Sequence, residues 1–146
     1  MSRPTRVSVD ACVLQRRYLL DPHLLRMVKA LDRWAEDQFA RKGIRWPGLV
    51  IISGWRSREF QAHLNPDAPN SLHTRCPSLA VDLRVGHVAA SIVGDFVWDW
   101  LGARWAMMGG RWGGRFSRRD ENHFDLGVGH PATPELPPGA PQLPGP

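Results

Sequence analysis

Leu79-Ala80-Val81-Asp82-Leu83-Arg84-Val85 sets Leu79, Val81, Leu83 and Val85 against Ala80, Asp82 and Arg84, the period of two expected of a strand with one apolar and one polar face. Asp82 and Arg84 therefore share the polar face. Upstream, residues 48–52 (GLVII) form a short β-branched run between Pro47 and Ser53-Gly54, too short for a helix and suited to a buried strand. Before that, Asp21-Pro22 reads as an N-cap followed by proline at the first helical position. Leu24, Leu25, Val28, Leu31, Ala35 and Phe39 follow at helical spacing until Gly43, which predicts an amphipathic helix.

Further along, Ser57 caps a predicted short helix reaching Leu64, and residues 65–70 (NPDAPN) carry turn chemistry. Residues 87–101 read as a helix, with Val88, Ile92, Phe96 and Trp100 at steps of four and Gly102 as its stop. Strand pieces are expected at 105–108 and 123–126, and the Gly109-Gly110 and Gly113-Gly114 pairs read as tight turns. Helices and strands in this order, with short connections, predict a single α+β domain rather than alternating β/α winding. The domain is expected over residues 1–126. Residues 127–146 hold seven of the thirteen prolines and almost no large apolar side chain, the composition of a disordered tail.

A chain of 146 residues, 42% hydrophobic and 23% charged, suits one globular domain. No stretch approaches the roughly 18 apolar residues of a membrane helix, and no secretory signal is visible at the start. Synthesis in the cytoplasm is expected, as is a monomer. Cys12 and Cys76 are too few for a disulfide framework. The net charge of +5 favours an anionic partner. The arginines are dispersed and nucleic-acid motifs are absent, so no specific nucleic acid is expected.

Three places concentrate chemically useful residues: Ser53-Gly54-Trp55-Arg56-Ser57, then Ser71-Leu72-His73 leading to Asp82, then Asp120-Glu121-Asn122-His123-Phe124-Asp125. Imidazole and carboxylate are ordinary zinc ligands, and a catalytic zinc keeps three protein ligands with one position open. His73, Asp82 and His123 would supply such a set. A nearby carboxylate must still accept a proton from the attacking water; Asp120 is suited to this, with Glu121 the competing base. Taken one at a time, these residues read more simply as hydrogen-bonded or solvent-facing groups. His23, His63, His87 and His130 read as surface or helix-cap residues, and Trp105, Trp112 and Phe124 as core or pocket wall.

In this order the three places resemble the zinc D-alanyl-D-alanine carboxypeptidase and L-alanyl-D-glutamate endopeptidase family of peptidoglycan peptidases, which includes bacteriophage endolysins. The family pattern is a Ser-Gly-aromatic-Arg-Ser segment, then Ser-x-His-x-x-Gly-x-Ala-x-Asp, then a Trp/Gly-rich turn ending in Asp-x-x-His-Phe. Here these are SGWRS at 53–57 with Gln61 following, SLHTRCPSLAVDL at 71–83, and MMGGRWGGRFSRRDENHFDL at 107–126. The resemblance implies a hedgehog/D-Ala-D-Ala peptidase-like fold, with a small antiparallel sheet carrying zinc and helices packed on its other side. It implies Zn2+ held by His73, Asp82 and His123, Asp120 as general base, and Arg56 stabilising the oxyanion or gripping a substrate carboxylate. Ser71, Gln61 and Trp112 would serve substrate binding, with Ser71 also supporting the ligand loop. The implied activity is cell-wall degradation by hydrolysis of the peptidoglycan stem peptide, the enzyme reaching the periplasm or wall during lysis. The alternative is a non-catalytic zinc-containing domain of the same fold that binds cell wall or protein. One departure stands out: His73 and Asp82 are nine positions apart where the family has seven, with two extra residues around Arg75-Cys76-Pro77 and no glycine between.

Overall fold

A computed structural model of the chain describes residues 4–85 and 96–127. It is an α+β domain whose five strands form one antiparallel sheet in the order β1-β2-β3-β5-β4. In chain order the elements are β1 (Thr5–Arg6), α1 (Ala11–Tyr18), α2 (Pro22–Arg41), β2 (Leu49–Ser53), α3 (Arg58–Leu64), β3 (Ala80–Val85), α4 (Phe96–Met107), β4 (Arg111–Trp112) and β5 (His123–Asp125). Short 3-10 turns occupy Leu72–Thr74 and Gly113–Arg115.

The capping residues act as their chemistry dictates. Asp21 accepts hydrogen bonds from His23 N and Leu24 N at the start of α2, and Ser57 Oγ accepts from Phe60 N at the start of α3. Both satisfy amides that a helix leaves without intrahelical partners. One stripe of α2 disappears from solvent: Leu24, Val28, Leu31 and Ala35 are each 0% exposed. Burying a side chain of the Leu or Val kind contributes about 1.5–3 kcal/mol.

Alternation along the strands separates the two faces of the sheet. Val81 pairs with Phe124 and Trp112 pairs with Phe124, so these three share a face. Trp105 of α4 meets Phe124 edge-on at 5.5 Å between ring centroids, which marks that face as the helix side. The helices lock together through aromatic rings, Trp34 of α2 lying 4.5 Å from Trp100 of α4. Asp82 pairs with His123, and Ser53 with Asp82; these residues occupy the opposite face. Between Ile51 and Ser53 the β2–β3 register shifts by an extra residue, a bulge of the kind that re-aims side chains. It brings Ser53 opposite Asp82.

Two sequence expectations are corrected at α4. Gly102 does not stop the helix, and residues 105–108 are not a strand: α4 runs through both to Met107. Val97, Leu101 and Trp105 continue a helical spacing and are buried. Gly102 serves close packing, since a Cβ there would lie 2.1 Å from Trp112 Cδ2. Termination comes later, where Gly109 takes φ +93° and Gly110 N donates back to Trp105 O at 3.0 Å, a conformation suited to glycine. The edge strand falls instead at Arg111–Trp112. The part of the expected 87–101 helix that precedes Phe96 lies outside the described residues, as does the expected tail from 128 onward.

Candidate metal centre

His73 ends up beside Asp82 because its loop is fastened on both sides. Ser71 Oγ accepts from His73 N, opening the short turn, and Leu79 N donates to Leu72 O. The loop through Arg75-Cys76-Pro77 has its far end pinned to the segment after α1: Ser78 N donates to Leu19 O at 2.7 Å and Asp21 N to Ser78 O at 2.8 Å. His123 is placed by β5, directly across from Asp82 on β3.

One nitrogen from each imidazole and one oxygen of Asp82 all lie within 4.8 Å of one another. The imidazole centroids are 5.1 Å apart. His73 is 1% and His123 7% exposed. The second nitrogen of each ring is already committed. His73 Nδ1 lies 2.7 Å from the carbonyl oxygen of Gly54, and since a carbonyl only accepts, that nitrogen carries the proton. His123 Nε2 lies 2.7 Å from Asp125 Oδ2 and donates to it. This leaves His73 Nε2 and His123 Nδ1 turned toward Asp82 Oδ1, at 3.2 and 3.6 Å. A shared cation would bring these three electron-rich atoms into favourable contact. Neutral imidazoles oriented through their second N–H, one of them by a carboxylate, are the arrangement that metal-binding histidines adopt. The donor set fits a divalent ion such as Zn2+.

The charges around the trio reinforce it. Burial opposes ionisation of Asp82, yet hydrogen bonds from His123 and His73 and the charges of His73 and Arg56 hold its carboxyl well below the usual range. Burial likewise opposes the His123 cation, but hydrogen bonds to Asp125 and Asp82, and their charges, outweigh it and raise the imidazole to about 9. Asp125, fully buried, is held below the ordinary carboxylate range against its own burial by His123 and by Arg111. Arg111 grips it in a fork, Nε to Oδ1 at 2.9 Å and NH2 to Oδ2 at 2.7 Å, the planar geometry to which guanidinium is suited.

Arg56 stands at the trio's edge. Its NH2 donates to Asp82 Oδ2, Nε to Ser53 Oγ at 3.0 Å and NH1 to Gln61 Oε1 at 3.0 Å. Three of five N–H groups are thus engaged. Gln61 is buried and donates in turn to Ala68 O, so it braces Arg56. Ser71 braces the His73 turn. Asp120 is exposed in the turn before β5, and its backbone is tied to the ligand strand: Asp120 O accepts from His123 N at 3.1 Å, and Asp120 N donates to Gly113 O at 2.9 Å. Glu121, the competing carboxylate, has an oxygen 3.6 Å from Arg119. Trp112 is not brought to this site. Its pairing with Phe124 turns it to the helix face, where it is 4% exposed against Gly102, with its indole N–H donated to Glu121 O.

Asp125, Arg111 and the Gly54 carbonyl adjoin the candidate ligands, and sequence reasoning did not assign them. Asp125 was accessible to it, because two residues beyond His123 on a strand is the same face. The Gly54 contact depends on tertiary placement and left no such signal.

No family model matches this chain, and no curated protein matches it.

Proposed function

We propose that this protein is a zinc-dependent peptidase of peptidoglycan that hydrolyses an amide bond in the stem peptide, as an L-alanyl-D-glutamate endopeptidase of the endolysin type or as a D-alanyl-D-alanine carboxypeptidase. The observation that carries the reading is the convergence of His73 Nε2, His123 Nδ1 and Asp82 Oδ1, each imidazole oriented through its other nitrogen. A bound Zn2+ supplies Lewis acidity, polarising the scissile carbonyl and acidifying water.

The chain's own residues supply the rest. Arg56, fixed by Ser53, Gln61 and Asp82, has two N–H groups to offer to a substrate oxygen on which negative charge grows. Asp120, anchored to the turn that holds His123, takes a proton on its carboxylate from the attacking water and returns it to the leaving amine. Asp125 and Arg111 keep the His123 ring in its tautomer. The net charge of +5 draws the protein to an anionic cell envelope.

The test is zinc analysis of the purified protein, followed by mass spectrometry of peptidoglycan digested with and without chelator. About one equivalent of zinc is expected, together with peptide fragments that vanish with chelator and return with added Zn2+. Intact peptidoglycan after incubation with the zinc-loaded protein would overturn the reading and leave a zinc-containing binding domain.

A further inference from the structure

Beside the metal centre a cleft of about 440 Å³ opens between the end of α1 and the β2–α3 connection. Ser53 and Arg56 belong to both, since they line the cleft and also reach the Asp82 side of the sheet. The shared residues make the cleft a candidate for one end of a substrate whose scissile amide lies at the trio. The wall is unusual for a surface: Trp55, Phe60 and Leu64 are 41%, 38% and 52% exposed, three large apolar side chains together. Polar groups with hydrogens to spare stand among them. Arg17 is exposed and spends NH1 on Thr5 Oγ1. The hydroxyls of Ser53 and Ser57 accept from Arg56 Nε and Phe60 N, which leaves each O–H able to donate.

The backbone that carries the indole is anchored on both sides. Trp55 N donates to Tyr18 O at 2.8 Å, and Arg56 N to His73 O at 2.9 Å. Gly54 permits this approach, because a Cβ there would lie 2.5 Å from Tyr18 O. An exposed indole on an anchored backbone, with hydroxyl and guanidinium donors lining the same cleft, matches one chemistry well. A pyranose presents a flat C–H face for an aromatic ring and a rim of oxygens for donors. The small side chains at the peptide end of a stem offer no comparable face.

We infer that this cleft is the subsite for the sugar that carries the stem peptide, with Trp55 as its platform and Arg17, Ser53 and Ser57 addressing its oxygens. The inference rests on the peptidoglycan reading of the neighbouring centre. It makes the substrate class glycan-linked stem peptides in preference to free peptides.

Isothermal titration of the chelator-treated full chain with N-acetylmuramyl-L-alanyl-D-isoglutamine, against L-alanyl-D-isoglutamine, tests it without reference to hydrolysis. The muramyl compound is expected to bind about tenfold tighter, the scale of one good aromatic platform. Trp55→Ala is expected to bring the two affinities together, and Arg17→Gln to narrow the gap, with melting temperature serving as the check on folding. Equal affinities in the wild type, or a preference that survives Trp55→Ala in a folded protein, would overturn the inference. The two readings fail separately. Trp55-dependent binding of the muramyl compound without any digestion of peptidoglycan removes the peptidase and keeps the subsite, whereas zinc-dependent digestion without the preference removes the subsite and keeps the peptidase.

Discussion

Asp32 and Asp82 are both withdrawn from solvent, and they solve the problem of a sheltered carboxylate in opposite ways. Asp32 Oδ1 accepts from Trp46 Nε1 at 2.8 Å and from Leu49 N at 2.9 Å, two donors whose protons never leave at ordinary pH. Asp82 instead faces two imidazoles and a guanidinium, and the imidazoles are free to exchange a proton for a metal. A carboxylate ringed by permanent donors is a finished joint between α2 and β2. One that faces two exchangeable donors is a candidate site.

The contrast is broken or sharpened most strongly at His123. His123→Ala is expected to abolish stoichiometric zinc binding, read as metal content after dialysis, because two ligands rarely hold the ion; full retention would mean that the ligand set is wrong. Asp120→Asn should keep the zinc and the fold while lowering turnover on stem peptides by roughly a hundredfold or more. Unchanged turnover would pass the role of base to Glu121. Asp125→Asn should weaken zinc affinity by about 10- to 100-fold, the usual scale for a partner that orients a ligand, measured by competition with a chromophoric chelator. Asp32→Ala should act on the fold and not on the site. It is expected to cost about 2–4 kcal/mol of stability by stranding two buried donors, with zinc content untouched; a simultaneous loss of metal would erase the distinction drawn here.

The smallest effect is one of pH. His123 is raised in the fold to about 9, above its ordinary value near 6.5. In zinc-free protein its stabilising contribution is therefore complete below about pH 6.5 and is lost as pH climbs through 9. Chelator-treated protein should melt lower at pH 9 than at pH 6.5. Zinc demands the deprotonated ring, so the melting increment caused by zinc should grow over the same interval.

How much of this was legible in the sequence depends on how local each cause is. The long helix was written in Asp21-Pro22 and the spacing that follows, and the strand of Asp82 in its alternation, because capping and periodicity are properties of adjacent residues. His73, Asp82 and His123 were legible as a set through motif order. Gly102 misled because a missing side chain marks either a helix end or a tight contact, and only the position of Trp112, fixed by its pairing with β5, tells which applies. β1 was missed because two residues make no pattern; Thr5 and Arg6 are a strand only because Ile51 and Val50 lie alongside. α1 carries an Asp10 cap, but two turns with a mixed charged and apolar face gave too little periodicity to read. The resemblance assigns Trp112 to substrate, but an aromatic residue suits a core as well as a pocket, and only its pairing with Phe124 puts it on the helix face.

The peptide at Gly54 carries a consequence for variation in this molecule. Its oxygen sets which nitrogen of His73 is bare, while the next amide, the N–H of Trp55, ties the backbone to the end of α1. On the proposed reading, grip on an ion and grip on a ligand's ring are thus geared through a single backbone unit. Any side chain introduced there would strip both gears at once, so descendants of this sequence can retune affinity for either only by changes made further out along the two arms.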